Sequence, residues 1–274
     1  MTIPDPDPIE PSKAPFRLYA AWGCPFCHRV LAGLHLTGLA DRMNITWMKD
    51  IKRDDGWEIE DDQDPLFGAS LIREIYAATA PGEDHRPAVP ILISESTREL
   101  VSTESPAMLR FVSTGFAGQY PTRVELCPED LRQEINALNA WLHDRINRAV
   151  YTVGFAQQQS EYERKAYRLF EDLDAMEQRL ADSDFLFGDR LTESDLFLSA
   201  TLRRFDRVYS PLFRCSLKRV ADYPALSSYL SRVIEQPGMS DSFSLDRTKR
   251  HYFKSLIHTN AGTLNPNPSG IVPI

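Results

Sequence analysis

The 274-residue chain is 42% hydrophobic and 26% charged, which supports a packed core and excludes general disorder. Its formal net charge of −8 argues against nucleic-acid binding, which needs a basic stripe, and no apolar run approaches the ~20 residues that span a bilayer. Residues 1–15 carry prolines and acids without the basic and apolar regions of a signal peptide, so a cytoplasmic protein of one large or two ordinary domains is expected.

Beyond that N-terminal extension, Phe16–Ala21 reads as a short strand and Gly23-Cys24-Pro25 as a turn. Phe26–Thr37 then has helical spacing at Val30, Leu31, Leu34 and Leu36, and Gly38 suits its stop. Asn44–Lys49 is a second strand. The acidic stretch Asp50–Asp64 shows no period, Trp57 apart, and reads as a loop. Leu66–Ala78 is expected as a helix, Val89–Ile93 with Glu99–Ser102 as a hairpin, and Glu104–Ser113 as a helix. That order is the order of a thioredoxin-like α/β domain, placed over residues 16–120.

From residue 121 to 274 the pattern is all-α. Pro128–Arg148 carries an apolar stripe at Leu131, Ile135, Leu138, Trp141, Leu142 and Ile146, and Tyr162–Leu180 repeats the pattern. Thr192–Asp206 has a strong start: Thr192 can cap it, Asp195 can reach back, and Leu191 and Leu196 can form a staple. Leu226–Glu235 is a fourth helix, and an irregular tail begins at Thr259.

The sharpest chemical signal is Gly23-Cys24-Pro25-Phe26-Cys27-His28-Arg29. A cysteine where a strand turns into a helix meets free backbone N–H groups and the positive end of the helix dipole, and both favour thiolate. Arg29 adds positive charge one turn further on. Cys24 could instead be a buried small hydrophobe. A zinc site is not expected, because no second Cys-x-x-Cys exists and the six histidines are scattered.

Val89-Pro90 falls where a thioredoxin-like domain places a cis-proline, beside the nucleophile. Glu104 and Ser105 open a helix whose N–H groups attract a carboxylate, while the Glu side chain can meet an ammonium; together they could hold a γ-glutamyl group or form an ordinary cap. Tyr151, Tyr209 and Tyr252 are either donors to a developing oxyanion or amphipathic core residues. Trp57 is either a loop aromatic or a wall for a ring.

Three stretches carry a resemblance: Val150-Tyr151-Thr152-Val153-Gly154-Phe155-Ala156, Phe187-Gly188-Asp189-Arg190-Leu191-Thr192-Glu193-Ser194-Asp195, and Arg204-Phe205-Asp206-Arg207-Val208-Tyr209. With Lys249-Arg250-His251-Tyr252 and the terminal Gly270-Ile271-Val272-Pro273, the chain resembles the glutathionyl-hydroquinone reductases, also called Xi-class glutathione transferases. The resemblance implies a glutathione-transferase-type helical domain and a homodimer built through it. It also implies glutathione-dependent reduction of glutathionylated hydroquinones, with glutathione as co-substrate and no metal. Cys24 would be the nucleophile, with Trp57, Val89, Glu104 and Ser105 lining the glutathione site and Tyr151, Tyr209 and Tyr252 around the aromatic substrate. The family pattern at the nucleophile is Cys-Pro-Trp-Ala, whereas this chain reads Cys-Pro-Phe-Cys. Phe26 removes an indole donor and Cys27 supplies a second thiol, either resolving or merely packed. A glutaredoxin-like oxidoreductase using both cysteines therefore stays open, as does a non-catalytic binding protein on the same fold.

Overall fold

In the computed structural model, which describes residues 5–82 and 87–258, Phe16–Ala20 (β1) is buried at four of its five positions. It is an interior strand, apolar on both faces. It pairs in parallel with Asn44–Trp47 (β2) and antiparallel with Ile91–Ser94 (β3), and β3 pairs antiparallel with Leu100–Ser102 (β4), giving the order β2-β1-β3-β4.

Pro25–Thr37 (α1) follows β1 through the cysteine turn, and Gly38 ends it in the left-handed region at φ 79°, where a Cβ would be strained. Ser105–Ser113 (α3) lies against α1. The approach is close because α1 has Gly33 there; a Cβ would come within 2.6 Å of Leu109 Cδ1.

The helix expected from Leu66 begins later, as α2 over Ile72–Thr79. The reason is Asp64, buried, whose carboxylate accepts from the amides of Leu66 at 3.0 Å and Phe67 at 2.5 Å and from the Tyr19 hydroxyl at 2.6 Å. Those bonds hold residues 64–68 in a turn rather than a helix. The acidic stretch before it is irregular, yet it buries Trp57 and Ile59 and forms single bridges from Met48 to Ile59 and from Glu58 to Leu71.

The expected Pro128–Arg148 helix is three pieces. A 3₁₀ turn over Glu129–Leu131 leads into Arg132–Leu142 (α4), and a π-helical turn over His143–Asn147 delivers the chain to Ala149–Gly154 (α5). Gln159–Arg179 (α6) comes next. Glu193–Arg204 (α7) is buried at all but one position and ends in a second π turn, Phe205–Tyr209. Asp195 accepts from the Thr192 amide at 2.7 Å, the Leu186 amide at 3.0 Å and the Tyr229 hydroxyl at 3.1 Å, so the cap also ties down neighbouring segments. Pro224–Ile234 (α8) and Leu245–His258 (α9) complete the described chain. Helix α9 has no counterpart among the expected elements, and the tail from Thr259 lies outside the described residues. No described helix is long and apolar enough to cross a membrane.

The apolar interior falls into two clusters. One contains Leu18, Ile72, Ile91 and Phe111; the other contains Leu142, Leu169, Leu196 and Phe205, and extends to Ala32, Leu36 and Leu109 of the first half. A part-buried ion pair, Arg110 to the buried Glu193 at 2.7 Å, crosses the same boundary, and Asn139 donates to the carboxylate at 3.0 Å. Helix α9 returns to the first half. Arg247 reaches Asp50 and Glu60, each at 2.6 Å, and Ser255 Oγ accepts from the Lys52 amide at 2.8 Å.

Candidate active site

Cys24 is the N-cap of α1, with φ −75° and ψ 120°, and Pro25 takes the first helical position. Its Sγ accepts from the Cys27 amide at 3.3 Å and lies 3.3 Å from the Val89 carbonyl oxygen. The Val89–Pro90 bond is cis, and the loop before β3 offers its backbone carbonyl to the thiol. Burial opposes ionisation of Cys24. Hydrogen bonds from the Cys27 side chain and amide, the charge of Arg204 and the Phe26 amide outweigh it, and the thiol titrates below its usual value. Cys27 moves the other way: burial, then its hydrogen bond to Cys24 and the charge there, push its thiol well above the usual value.

Arg204, at the end of α7, is fully buried and sequence reasoning gave it no role. Its guanidinium donates to the Trp22 carbonyl at 3.2 Å, the Gly23 carbonyl at 3.3 Å, the Ala200 carbonyl at 2.8 Å and His28 Nδ1 at 2.9 Å. A cation from the helical half thus clamps the cysteine turn of the other half. His28 accepts from it as a neutral ring, since burial and the charges of Arg204, Arg203 and Arg29 hold its pKa well below the usual value. Arg29 is sunk between the rings of Phe197 at 3.8 Å and Phe26 at 5.0 Å, with one nitrogen on Asn147 Oδ1 at 3.3 Å. Burial lowers its pKa to about 9, an effect that the Cys24 charge partly opposes.

The three tyrosines come from three segments and meet. Tyr151 is on α5, Tyr209 closes the second π turn and Tyr252 is on α9. Their hydroxyls form a chain, Tyr151 to Tyr252 at 2.5 Å and Tyr252 to Tyr209 at 3.1 Å. Tyr209 and Tyr252 are almost fully buried; Tyr151 keeps some exposure. Burial raises the pKa of all three, and the Cys24 charge adds to the rise at Tyr151 and Tyr209, so the phenols stand in the field of that sulfur.

Trp57 is brought to the same corner by His251, whose ring stacks on it at 4.7 Å. His251 hydrogen-bonds the Asp50 carbonyl through Nδ1 at 3.1 Å, and burial lowers its pKa to about 4. The ring packs so tightly on the cysteine turn that a Cβ on Gly23 would sit 2.5 Å from it. Glu104, exposed, is the N-cap of α3, and Ser105, buried, is its first residue. Glu104 also lines a cavity of about 560 Å³ with Thr103, Asn136, Asn139, His143 and Phe197, which neither Cys24 nor the tyrosines border. A larger open depression of about 660 Å³, walled by Glu177, Asp184 and Arg232, holds none of the candidate residues. Among the described residues no three metal-ligating side chains converge.

A four-stranded thioredoxin-like sheet, a cysteine at the start of the first helix and an all-α second half define the glutathione-transferase class. Residues 159–232 match the glutathione S-transferase C-terminal domain family. The chain is 34% identical over 269 residues to the glutathionyl-hydroquinone reductase PcpF of Sphingobium chlorophenolicum, covering 97% of this chain and 83% of that one. It is 32% identical to the glutathionyl-hydroquinone reductase YqjG of Escherichia coli, covering 96% and 79%. The glutathione-bound structure of YqjG superposes with a TM-score of 0.85 at 31% identity, over 94% of this chain and 84% of that one. The Xi 1 glutathione transferase of Trametes versicolor gives 0.84 at 32%, over 94% and 93%. The chain belongs to the glutathionyl-hydroquinone reductase family, the Xi-class glutathione transferases.

Proposed function

We propose that the protein reduces glutathionyl-hydroquinones at the expense of glutathione, releasing the hydroquinone and glutathione disulfide. One observation carries the proposal: a thiol of lowered pKa against the Val89 carbonyl, within the electrostatic reach of a largely buried chain of phenols from the other half. The names of PcpF and YqjG, and the glutathione in the YqjG structure, support it.

Cys24 thiolate attacks the thioether sulfur while the ring is in its keto form. The new sulfur–sulfur bond forms as the carbon–sulfur bond breaks, and the electron pair enters the ring, which becomes the phenolate of the hydroquinone and then takes a proton. Tyr151 and Tyr252 donate to the ring oxygens, a role suited to phenols whose burial keeps them protonated. Tyr209 holds Tyr252 in place. A second glutathione thiolate attacks the Cys24–glutathione mixed disulfide, restoring Cys24. No step uses a metal.

Residues 16–120 bind the tripeptide and residues 121–274 serve the ring. The extended backbone at Val89 runs alongside the glutathione cysteine, the first N–H groups of α3 at Ser105 take its γ-glutamyl carboxylate, Glu104 takes its ammonium, and Trp57 walls the site. The active form is a cytoplasmic homodimer joined through the helical halves. The test is intact mass of Cys27→Ala, in which no second thiol adjoins Cys24, after one equivalent of glutathionyl-menadione without free thiol: a glutathione adduct on Cys24 is expected, and an unmodified Cys24 after hydroquinone release contradicts the scheme. The contact between Cys27 and Cys24 favours a second reading, reduction of small disulfides at the same thiol. Rates on hydroxyethyl disulfide and glutathionyl-menadione, measured side by side, separate the two.

A further inference from the structure

Cys27 is where this chain leaves the Cys-Pro-Trp-Ala pattern, and the reduction scheme above leaves its thiol idle. It occupies the third position of α1 and is fully buried. Side chains in a helix lean toward its N-terminus, so a thiol three residues in lies back over the N-cap. There its amide donates to Cys24 Sγ at 3.3 Å, and its thiol is near enough to bear on the ionisation of Cys24. Cys127 and Cys215, the other two thiols, are buried elsewhere; Cys215 Sγ faces the Val150 carbonyl at 4.0 Å. An alanine at position 27 would keep the amide bond and bring no second sulfur to that place.

We propose that Cys27 is a resolving thiol, which makes this chain a dithiol enzyme able to release glutathione from Cys24 without a second glutathione and to reduce low-molecular-weight disulfides. The inference rests on Cys24 being the nucleophile. Cys27 sulfur attacks Cys24 Sγ in the mixed disulfide, the Cys24–Cys27 bond forms as the bond to glutathione breaks, and the departing glutathione sulfur takes the proton that Cys27 loses. Two further glutathiones then convert the Cys24–Cys27 disulfide back to two thiols and become glutathione disulfide, so electrons and protons balance.

The electrostatics divide the work in time. Cys27 is held protonated by burial and then by the hydrogen bond and charge of Cys24. Glutathionylation abolishes that charge, which lowers the barrier to ionising Cys27 only when there is a mixed disulfide to resolve. Arg204 favours a thiolate at either sulfur, since its charge lowers both.

The test treats fully reduced protein with one equivalent of glutathione disulfide and no other thiol, and reads intact mass together with released glutathione. Wild type is expected to end two hydrogens lighter than its reduced form, with two glutathiones released per disulfide consumed. Cys27→Ala and Cys27→Ser are expected to stop at the glutathione adduct with one released. A wild type that also stops at the adduct overturns the resolving role and leaves Cys24 as nucleophile. A wild type that forms neither product overturns both.

Discussion

The two sides of the site are built in opposite ways. The thiol side is local: strand, Cys24, Pro25 and the first turn of α1 are contiguous, and among the described residues the sulfur's distant hydrogen-bond partner is the Val89 carbonyl. The phenol side is assembled from α5, the π turn after α7 and α9, so that Tyr151 and Tyr252, 101 residues apart, share a hydrogen bond. Chemistry at sulfur is therefore common to any substrate that presents a sulfur to Cys24. Chemistry at the ring depends on how the helical half is seated, and the comparison can be broken at either end.

The largest effect is expected at the sulfur. Cys24→Ser keeps a good N-cap, because a serine hydroxyl accepts from the same amides, but a hydroxyl protonated near neutral pH is a poor nucleophile. Thiol-dependent turnover should vanish on aromatic thioethers and small disulfides alike, with the unfolding midpoint little changed; turnover surviving in a preparation free of wild type assigns the nucleophile elsewhere. Next comes Tyr151→Phe. Loss of one donor to a developing oxyanion costs ~10²-fold in rate, and steady-state kinetics should find that loss on glutathionyl-menadione only.

Arg204→Met tests the link between the halves. Removing a cation disfavours the thiolate, so the pH midpoint for alkylation of Cys24 should move up, toward that of an ordinary cysteine. The Trp22 and Gly23 carbonyls also lose a charged donor, costing about 1–3 kcal/mol of stability in chemical denaturation. An unchanged midpoint in a folded variant means that Arg204 holds the turn without tuning the sulfur. The smallest effect is expected for Arg247→Ala, which frees α9 from Asp50 and Glu60. These pairs are partly exposed, so the loss should be about 1 kcal/mol or less and shrink further in high salt.

The same contrast explains what the sequence disclosed. The Cys24 turn, Gly38 and the Thr192–Asp195 cap were legible because capping and turn chemistry act between residues three or four apart. Tyr151, Tyr209 and Tyr252 read as oxyanion donors or core residues, and only the family resemblance set them around one ring, since nothing in local spacing says that three distant phenols meet. Both π turns were invisible for a like reason: apolar periodicity runs on through His143–Asn147 and Phe205–Tyr209 and does not mark the change of helical pitch there. The start of α2 was misplaced because Asp64, buried with Tyr19, prefers a turn. Arg204 had no role in the sequence, where it stands inside the expected Thr192–Asp206 helix, and only the packing of α7 on α1 turns it toward the cysteine.

Tyr252 stands at the centre of the phenol chain, bonded to both of the others, so it tests the division most directly. The decisive measurement compares Tyr252→Phe with wild type on glutathionyl-menadione and on hydroxyethyl disulfide, at one pH and one glutathione concentration. A fall of ~10²-fold on the first substrate, with the disulfide rate held, is the expected result. An equal fall on both would contradict the division and make the phenol chain part of the scaffold that holds Cys24.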